Sequence, residues 1–490
     1  MKKITAVIIS VIMLCTMCVP AFAADTDYAI SNPYADVDWA TYSAYKADLH
    51  SHTNASDGDN TTKEMAERHY ELGFDIYAQS DHGTVNYSWT ESSYDATIKL
   101  IMMVKEGKSP LEMLEKEGTA ANGKAYTVET VDGDDYYAQE GGHTMMRVPF
   151  ANEQNPTSLN NAHVNTWFVD YGHGRLGGTS DYESVISAVD ELGGVSVINH
   201  PGEYTNARDE KYTADAYNKD NMTYSYYIDK FENLLLNNDS CIGIDINSKG
   251  DGRTRFDRKL WDTMLSDLAP AGRNVFAIAS SDAHNLDIVD SGYIMAMMPE
   301  LTSEALKEAL LSGAFFAQSC YCGNYDELVA YSEALLASED EAAQALGAKI
   351  KAVADLGIDN KYRFEEGATC ATVSSIAVDD AEDTITINAE NALYIRWISD
   401  GNVVAEGNSI DLDECENIGS YVRAEIISEG AVTYSQAFLL EYDGMPEADI
   451  NDNFTDVDAP MLSFVDGIVR ALGKMISVIA QPILDALKVV

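Results

Sequence analysis

Basic residues are scarce in this chain: 32 Lys and Arg stand against 80 Asp and Glu, a net charge of −48 over 490 residues. Binding nucleic acid phosphates requires clustered Lys and Arg, so this balance argues against a nucleic acid partner. Self-repulsion of this kind suits an extracytoplasmic protein, although acidity can equally reflect the host with no task attached. Cysteine is sparse too, and Cys15 and Cys18 lie in the N-terminal apolar run. The other five, Cys241, Cys320, Cys322, Cys370 and Cys415, are too few, and odd in number, for a disulfide-built scaffold. Cys370 with Cys415 is a candidate pair in the C-terminal region. Cys320-Tyr321-Cys322 is too closely spaced for an ordinary zinc knuckle. There is no Gly-x-Ser-x-Gly elbow to supply a serine nucleophile.

Histidine is also limited, at nine residues, but its placement is not random. Asp48-Leu49-His50-Ser51-His52 follows a short strand over 46–49, and Asp57-Gly58 comes soon after. Side chains alternate along a strand, so His50 and His52 leave its end pointing the same way, the beginning of a metal site. Related fragments recur as Ser80-Asp81-His82, Asn199-His200-Pro201 and Ser281-Asp282-Ala283-His284, each after an apolar, strand-like run.

The length suggests two to four domains. Met1-Lys2-Lys3, an apolar run over 4–19 and Pro20-Ala21-Phe22-Ala23 read as a signal peptide over 1–23, implying a secreted or extracytoplasmic protein. Neither Cys15 nor Cys18 follows the small residues of a lipoprotein box. Thr61-Thr62-Lys63-Glu64 fits a capping box opening a helix that ends at Gly73, and a strand over 74–80 follows. Strand, site loop, helix, strand, site loop is a βα repeat with candidate ligands at the carboxyl ends. Residues 95–140 interrupt it as an insertion, a rim or lid, with a helix over 98–116 and a polar stretch around Asp132-Gly133. Strands over 145–151 and 162–169 flank Glu153, after which the βα rhythm resumes to residue 318. A helical segment over 324–356, a small all-β domain over 370–443 and an acidic linker over 444–460 follow. The chain closes with an amphipathic helix over 461–490, whose polar stripe includes Lys474, Ser477 and Gln481. Its charges disfavour a spanning helix; docking on the protein or a partner, or lying on a membrane surface, are its two readings.

The four histidine motifs, in this order, resemble the PHP (polymerase and histidinol phosphatase) family over residues 46–318. Ile242-Gly243-Ile244-Asp245-Ile246-Asn247 is similar to the strand before that family's last site loop. The resemblance implies an α/β fold, a distorted seven-stranded (β/α) barrel rather than a regular eight-stranded one, and a trinuclear metal site. By position, His50, His52 and Asp282 would bind one metal, and Asp57, His82 and His284 another. Glu153, His163 and His200 would hold the third, with Glu153 bridging.

Imidazole and carboxylate without thiolate suit Zn, Mn or Fe(II) better than Mg or Ca. Of the other histidines, His69 reads as structural and His143 as structural or at the rim. His173 and Arg175, in a Gly-rich loop, are candidates for proton donor and phosphate clamp, or form a surface turn. Arg147, Lys249, Arg253 and Arg255 are further basic candidates by position. Asp81 either orients a ligand from behind or caps its loop. The expected function is a secreted metal-dependent phosphoesterase that uses a metal-bound hydroxide on a small-molecule phosphate ester. A carboxyl- or carbamate-ester hydrolase on the same scaffold is the alternative. A binding protein with a relic site is the reading from another class.

Overall fold

A computed structural model describes residues 26–107, 110–154, 162–174, 182–456 and 459–490. The expected signal peptide and Arg175 lie outside the described residues.

The site half begins with β1 (Ser43–Ser51), α1 (Thr62–Glu71) and β2 (Ile76–Gln79). Thr61 accepts from the Glu64 backbone while the Glu64 side chain caps Thr61, the reciprocal capping box legible in the sequence. Helix α2 (Ala96–Glu106) is followed by β3 (Ala125–Val131), β4 (Asp134–Gln139), β5 (Thr144–Arg147), β6 (Asn152–Gln154) and β7 (Val164–Trp167). α2 stops well before residue 116 because Gly107 turns left-handed at φ 67 and closes it through Met103 O. The Asp132-Gly133 stretch is a hairpin turn, both residues at positive φ (52 and 96), joining β3 to β4.

The expected strand over 145–151 ends at Arg147, and a separate strand starts only at Asn152. Pro149 lacks an N–H and Phe150 adopts φ 55, so β5 pairs with β2 and β4 while β6 pairs with β7. The connection from β6 to β7 is shorter than the dozen or so residues a parallel crossover needs, and the pair is antiparallel.

α3 (Tyr182–Glu191), β8 (Val195–Ile198), α4 (Met222–Asn237), β9 (Cys241–Asn247), α5 (Asp257–Leu268) and β10 (Phe276–Ala279) restore the βα rhythm. β8, β9 and β10 are parallel and buried along their length, as continuous apolar runs covered by helices should be. Val185, Phe231, Trp261 and Met264 from the three helices share one core. The strands form two sheets. One runs β6–β7–β8–β9–β10; the other contains β1, β2, β5, β4 and β3. Isolated parallel bridges join them, Ser51 with Ala283 and His82 with Glu153. The circuit through β1, β2, β6, β7, β8, β9 and β10 thus returns on itself through backbone pairing.

β11 (Gly292–Met298), α6 (Ser303–Ser312) and β12 (Phe315–Ser319) extend the larger sheet beyond β1. α7 (Tyr325–Ala337) and α8 (Glu341–Ala354) form a helical hairpin. The C-terminal strands include β13 (Thr372–Asp379), β14 (Thr384–Glu390), β15 (Tyr394–Ser399), β16 (Tyr421–Ile427), β17 (Val432–Tyr434) and β18 (Phe438–Glu441). β17 pairs with β12, Ala317 opposite Tyr434, so these strands continue the sheet of the site half rather than only packing on it. Cys370 and Cys415 are both free thiols, so the candidate disulfide is absent. α9 (Ala459–Leu487) packs against α2.

A buried ion network fastens the two halves. Arg423 on β16 grips Asp262 of α5 with two hydrogen bonds of 2.8 Å and donates a third, also 2.8 Å, to Glu425. Glu425 also pairs with Arg396 at 2.6 Å and accepts from the Tyr331 hydroxyl of α7 at 3.0 Å. Burial alone would raise the Glu425 carboxyl, but Arg396 and Arg423 outweigh it and bring it down to about 2. A carboxyl depressed in the folded state adds stability above its ordinary range and loses it as pH falls through the folded value. Glu425→Gln is expected to cost about 3–5 kcal/mol near neutral pH, since it leaves buried arginines unpaired. It should also flatten the loss of stability between about pH 4.5 and 2. Urea unfolding across that range is the check; equal acid sensitivity in both proteins would contradict it.

Candidate metal centre

The carboxyl ends of β1, β2, β8 and β10 lead into His50 and His52, His82, His200, and Asp282 with His284. Glu153 lies on β6, and His163 immediately precedes β7. Because β7 runs antiparallel to β8, its beginning sits at the same rim as the other strands' ends. All nine residues therefore reach one place.

Glu153 is at the middle. Its carboxylate lies 2.9 Å from His82 Nδ1, 2.9 Å from His163 Nδ1 and 3.2 Å from His200 Nε2. His50 and His52 follow at 3.4 and 3.5 Å. Asp282 Oδ1 is 3.2 Å from His52 Nε2 and 3.5 Å from His50 Nε2. Asp57 contacts His284 at 3.2 Å and His82 at 3.4 Å. Four overlapping groups result: His52, Asp57, His82 and His284; His50, His200 and Asp282; His50, His52 and Glu153; His82, Glu153 and His163. The partition differs from the positional one. His200 sits with His50 and Asp282, and His82 belongs both to the Asp57 group and to the Glu153 group.

These residues fit a cation. His50 Nε2 and His52 Nε2 face each other at 3.1 Å. Glu153 Oε2 and Asp282 Oδ1 are buried oxygens with no hydrogen bond directed at them among the described residues. Buried acceptors left in that condition are costly unless something positive lies between them. His284 Nδ1 lies 2.9 Å from the Asp282 carbonyl, a contact that fixes the ring and turns Nε2 toward Asp57.

Protonation is set by neighbours. Burial pushes His52 down to about 3, assisted by His284 and His82, and pushes His163 down to about 4, so both present neutral nitrogens at neutral pH. Burial opposes the charged form of His50 too, but Asp282 and Glu153 outweigh it and raise it to about 9. Glu153 and Asp282 stay well below the carboxylate range despite burial, the first through His163 and His50, the second through Lys249 and His50.

The surrounding shell is buried and polar. Asp48 holds His69 at 3.0 Å and accepts from the His50 amide and the Ser281 hydroxyl, so His69 is structural. Asp81 accepts from Thr53 and Ser56 and caps the site loop rather than orienting His82. A side chain at Gly58 would stand 2.6 Å from the His52 carbonyl, so that loop closes only on glycine. His200, Lys249 and Asp282 carry positive φ (28, 45 and 45), strain held where ligands are aimed.

Some candidates are elsewhere. His143 stacks on Tyr70 and bonds the Phe74 carbonyl, away from the rim. His173 is exposed and its Nδ1 accepts from the Val85 amide, beside the cluster's loop but not in contact with the cluster among the described residues. Arg147 is buried against Asp134 and Asp135, Arg253 binds Glu203, and Arg255 binds the Arg208 and Glu210 carbonyls. Lys249 does reach the site, with Nζ 3.0 Å from Asp282 Oδ2.

Two further contacts at the site have no counterpart among the sequence motifs. The Tyr204 hydroxyl lies 2.7 Å from His163 Nε2, and Asn199 donates to Glu153 at 2.8 Å. Tyr204 follows His200 by four residues on a short helix (Pro201–Thr205), a spacing that was there to be used.

Neither a family model nor a curated protein matches the sequence. Among solved structures the chain is similar to a two-domain Bacteroides vulgatus protein containing a predicted PHP-like metal-dependent phosphoesterase. That match has 12% identity and a TM-score of 0.35, covering 85% of this chain and 95% of that one. It is also similar to a lesion-specific endonuclease from Pyrococcus furiosus, with 13% identity and a TM-score of 0.29, over 55% of this chain and 56% of that one. A third is an amidohydrolase from Chromobacterium violaceum, with 13% identity and a TM-score of 0.25, over 49% of this chain and 87% of that one. Likeness at this level leaves the function to be argued from the residues themselves.

A cation entering the cluster must displace the proton on His50. Adding Zn(II) or Mn(II) to chelator-treated protein below about pH 9 is therefore expected to release protons and raise the melting temperature. Loss of an outer-shell partner typically costs about 10- to 100-fold in metal affinity, and Glu153→Gln is expected to lose more than that. Elemental analysis of bound metal checks this; unchanged metal content in the variant would remove Glu153 from the ligand set.

Proposed function

We propose that this chain is a metal-dependent phosphoesterase of the PHP type, built on a distorted seven-stranded barrel and acting on a phosphate ester. The observation that carries the reading is Glu153, one buried carboxylate within 3.5 Å of five histidines. A donor set of nitrogen and oxygen suits Zn, Mn or Fe(II), and the overlapping groups suit three ions with Glu153 shared. Bound there, such ions would supply a nucleophilic hydroxide at neutral pH and would neutralise charge on a phosphoryl group.

The chain's own residues do the rest. Lys249 presents an ammonium at the cluster's edge, where it can bind a phosphoryl oxygen. Tyr204 brings a hydroxyl beside His163, and that neutral donor is what favours the second reading, hydrolysis of a carboxyl or carbamate ester whose carbonyl oxygen gains charge. Export is inferred from the sequence over 1–23 alone.

Two measurements test this. With Zn(II) or Mn(II), release of nitrophenol from a phosphomonoester or phosphodiester is expected to be chelator-sensitive and lost in His50→Ala; release from a carboxylate ester alone would transfer the chain to the second reading. A hydrogen bond to a charged group is worth about 1.5–3 kcal/mol, so Lys249→Met is expected to lower kcat/KM for a phosphate ester about 10- to 100-fold with metal content retained. An unchanged kcat/KM would show that Lys249 does not touch the phosphate.

A further inference from the structure

Helix α9 is oriented unlike the surface helix of a soluble protein. Two of its polar side chains turn inward: Ser477 Oγ meets Thr97 Oγ1 at 2.7 Å and Gln481 donates to the Tyr94 hydroxyl at 2.7 Å, while Thr97 donates to the Gly473 carbonyl. An apolar seam, Ala480, Leu484 and Val489 against Ala96 with Tyr94, Leu100 and Met103 packed beside it, supports the contact. The large apolar side chains face outward. Val478 is 76% exposed, Met475 66%, Ile479 63% and Leu487 54%. On α2, Ile101 is 43% and Val104 77% exposed. So many exposed large apolar side chains on two packed helices mark an interaction site rather than singly scattered surface residues.

We infer that the α2–α9 face docks on the surface of a phospholipid bilayer. Charge selects that occupant. Among the described side chains over 96–105 and 467–490, Lys105, Lys474 and Lys488 are exposed against Asp485 alone, whereas the whole chain has 32 basic residues to 80 acidic. The acidic remainder repels a second copy of itself, but the local surplus of lysine suits headgroup phosphates flanking buried apolar side chains. With Ser477 and Gln481 engaged by Thr97 and Tyr94, the helix pair presents lipid with a face rather than a spanning rod. Lys99 of α2 donates to the Asn54 carbonyl of the site loop, and Asn54 donates to Pro110 O. Docking therefore holds the metal centre's loop within roughly one helix diameter, about 10 Å, of the platform that meets the lipid.

The inference does not rest on the phosphoesterase reading, and its test reads no chemistry. The chain beginning at Ala24, so that the apolar run over 4–19 is absent, is centrifuged under a sucrose gradient with phosphatidylcholine vesicles, with and without phosphatidylglycerol. Wild type is expected to float with vesicles. The double variant Val478→Ser, Ile479→Asn is expected to float at least about 10-fold less while keeping its circular dichroism and melting temperature, since both side chains lie outside the α2 contact. A Val403→Ser control, exposed on the C-terminal β region, should float as wild type does. Failure of wild type to float, or equal flotation of the double variant, would overturn the inference. Resistance to alkaline carbonate extraction would replace surface docking with a spanning helix. A concentration-dependent dimer abolished by the double variant would assign the face to a second copy.

Discussion

A single carboxylate, Glu153, is surrounded by imidazoles in a volume from which water is nearly excluded, and much else in the site half serves that arrangement. Burying it alone would be prohibitive. Its neighbours make burial tolerable only if their rings are held at fixed angles, which accounts for the depth of the polar shell. Asp48 locks His69 and the amide of His50, Asp81 ties down the loop after His52, and Asn199 braces Glu153 directly. The backbone strain at His200, Lys249 and Asp282 belongs to the same constraint. Those residues take conformations they would not choose, because tight surrounding packing leaves no other way to aim them.

Attachment of the C-terminal strands obeys a different logic. There the charges are arranged as a closed chain, Asp262–Arg423–Glu425–Arg396, with every member buried and partnered. Partners that fully satisfy one another fix a unique geometry more than they add net stability. Ion pairs at the seam and an apolar core on both sides of it make the two halves one mechanical unit.

What could be read from the sequence was local chemistry. His50-Ser51-His52, Ser80-Asp81-His82 and Ser281-Asp282-Ala283-His284 announced themselves because strand alternation and strand-end loops act over a few residues. Glu153 and His163 carried no such signal; they were reached only through the family resemblance, since their meaning depends on β7 running antiparallel. Gly107 and the Asp132-Gly133 turn were visible punctuation that a helix over 98–116 and a polar stretch passed over. The Gly-rich loop points to His173, whose ring is taken up by the Val85 amide, while Tyr204, one helical turn beyond His200, carries no motif of its own. The pairing of β12 with β17 had no local signature at all, because register between distant strands is decided by tertiary packing.

That pairing bears on how the chain comes into being. Gln318 on β12 and Thr433 on β17 are 115 residues apart and share a hydrogen bond across the seam. Until the later strand exists, β12 is an open, apolar sheet edge, the kind of surface on which neighbouring chains align and aggregate. Closing so long a loop is slow, and the order of events is fixed by connectivity rather than by affinity. A fragment ending near residue 320 would therefore contain every candidate ligand and yet be a poor protein. The last third of the chain acts as its edge guard, and its loss would be felt first as insolubility rather than as missing chemistry.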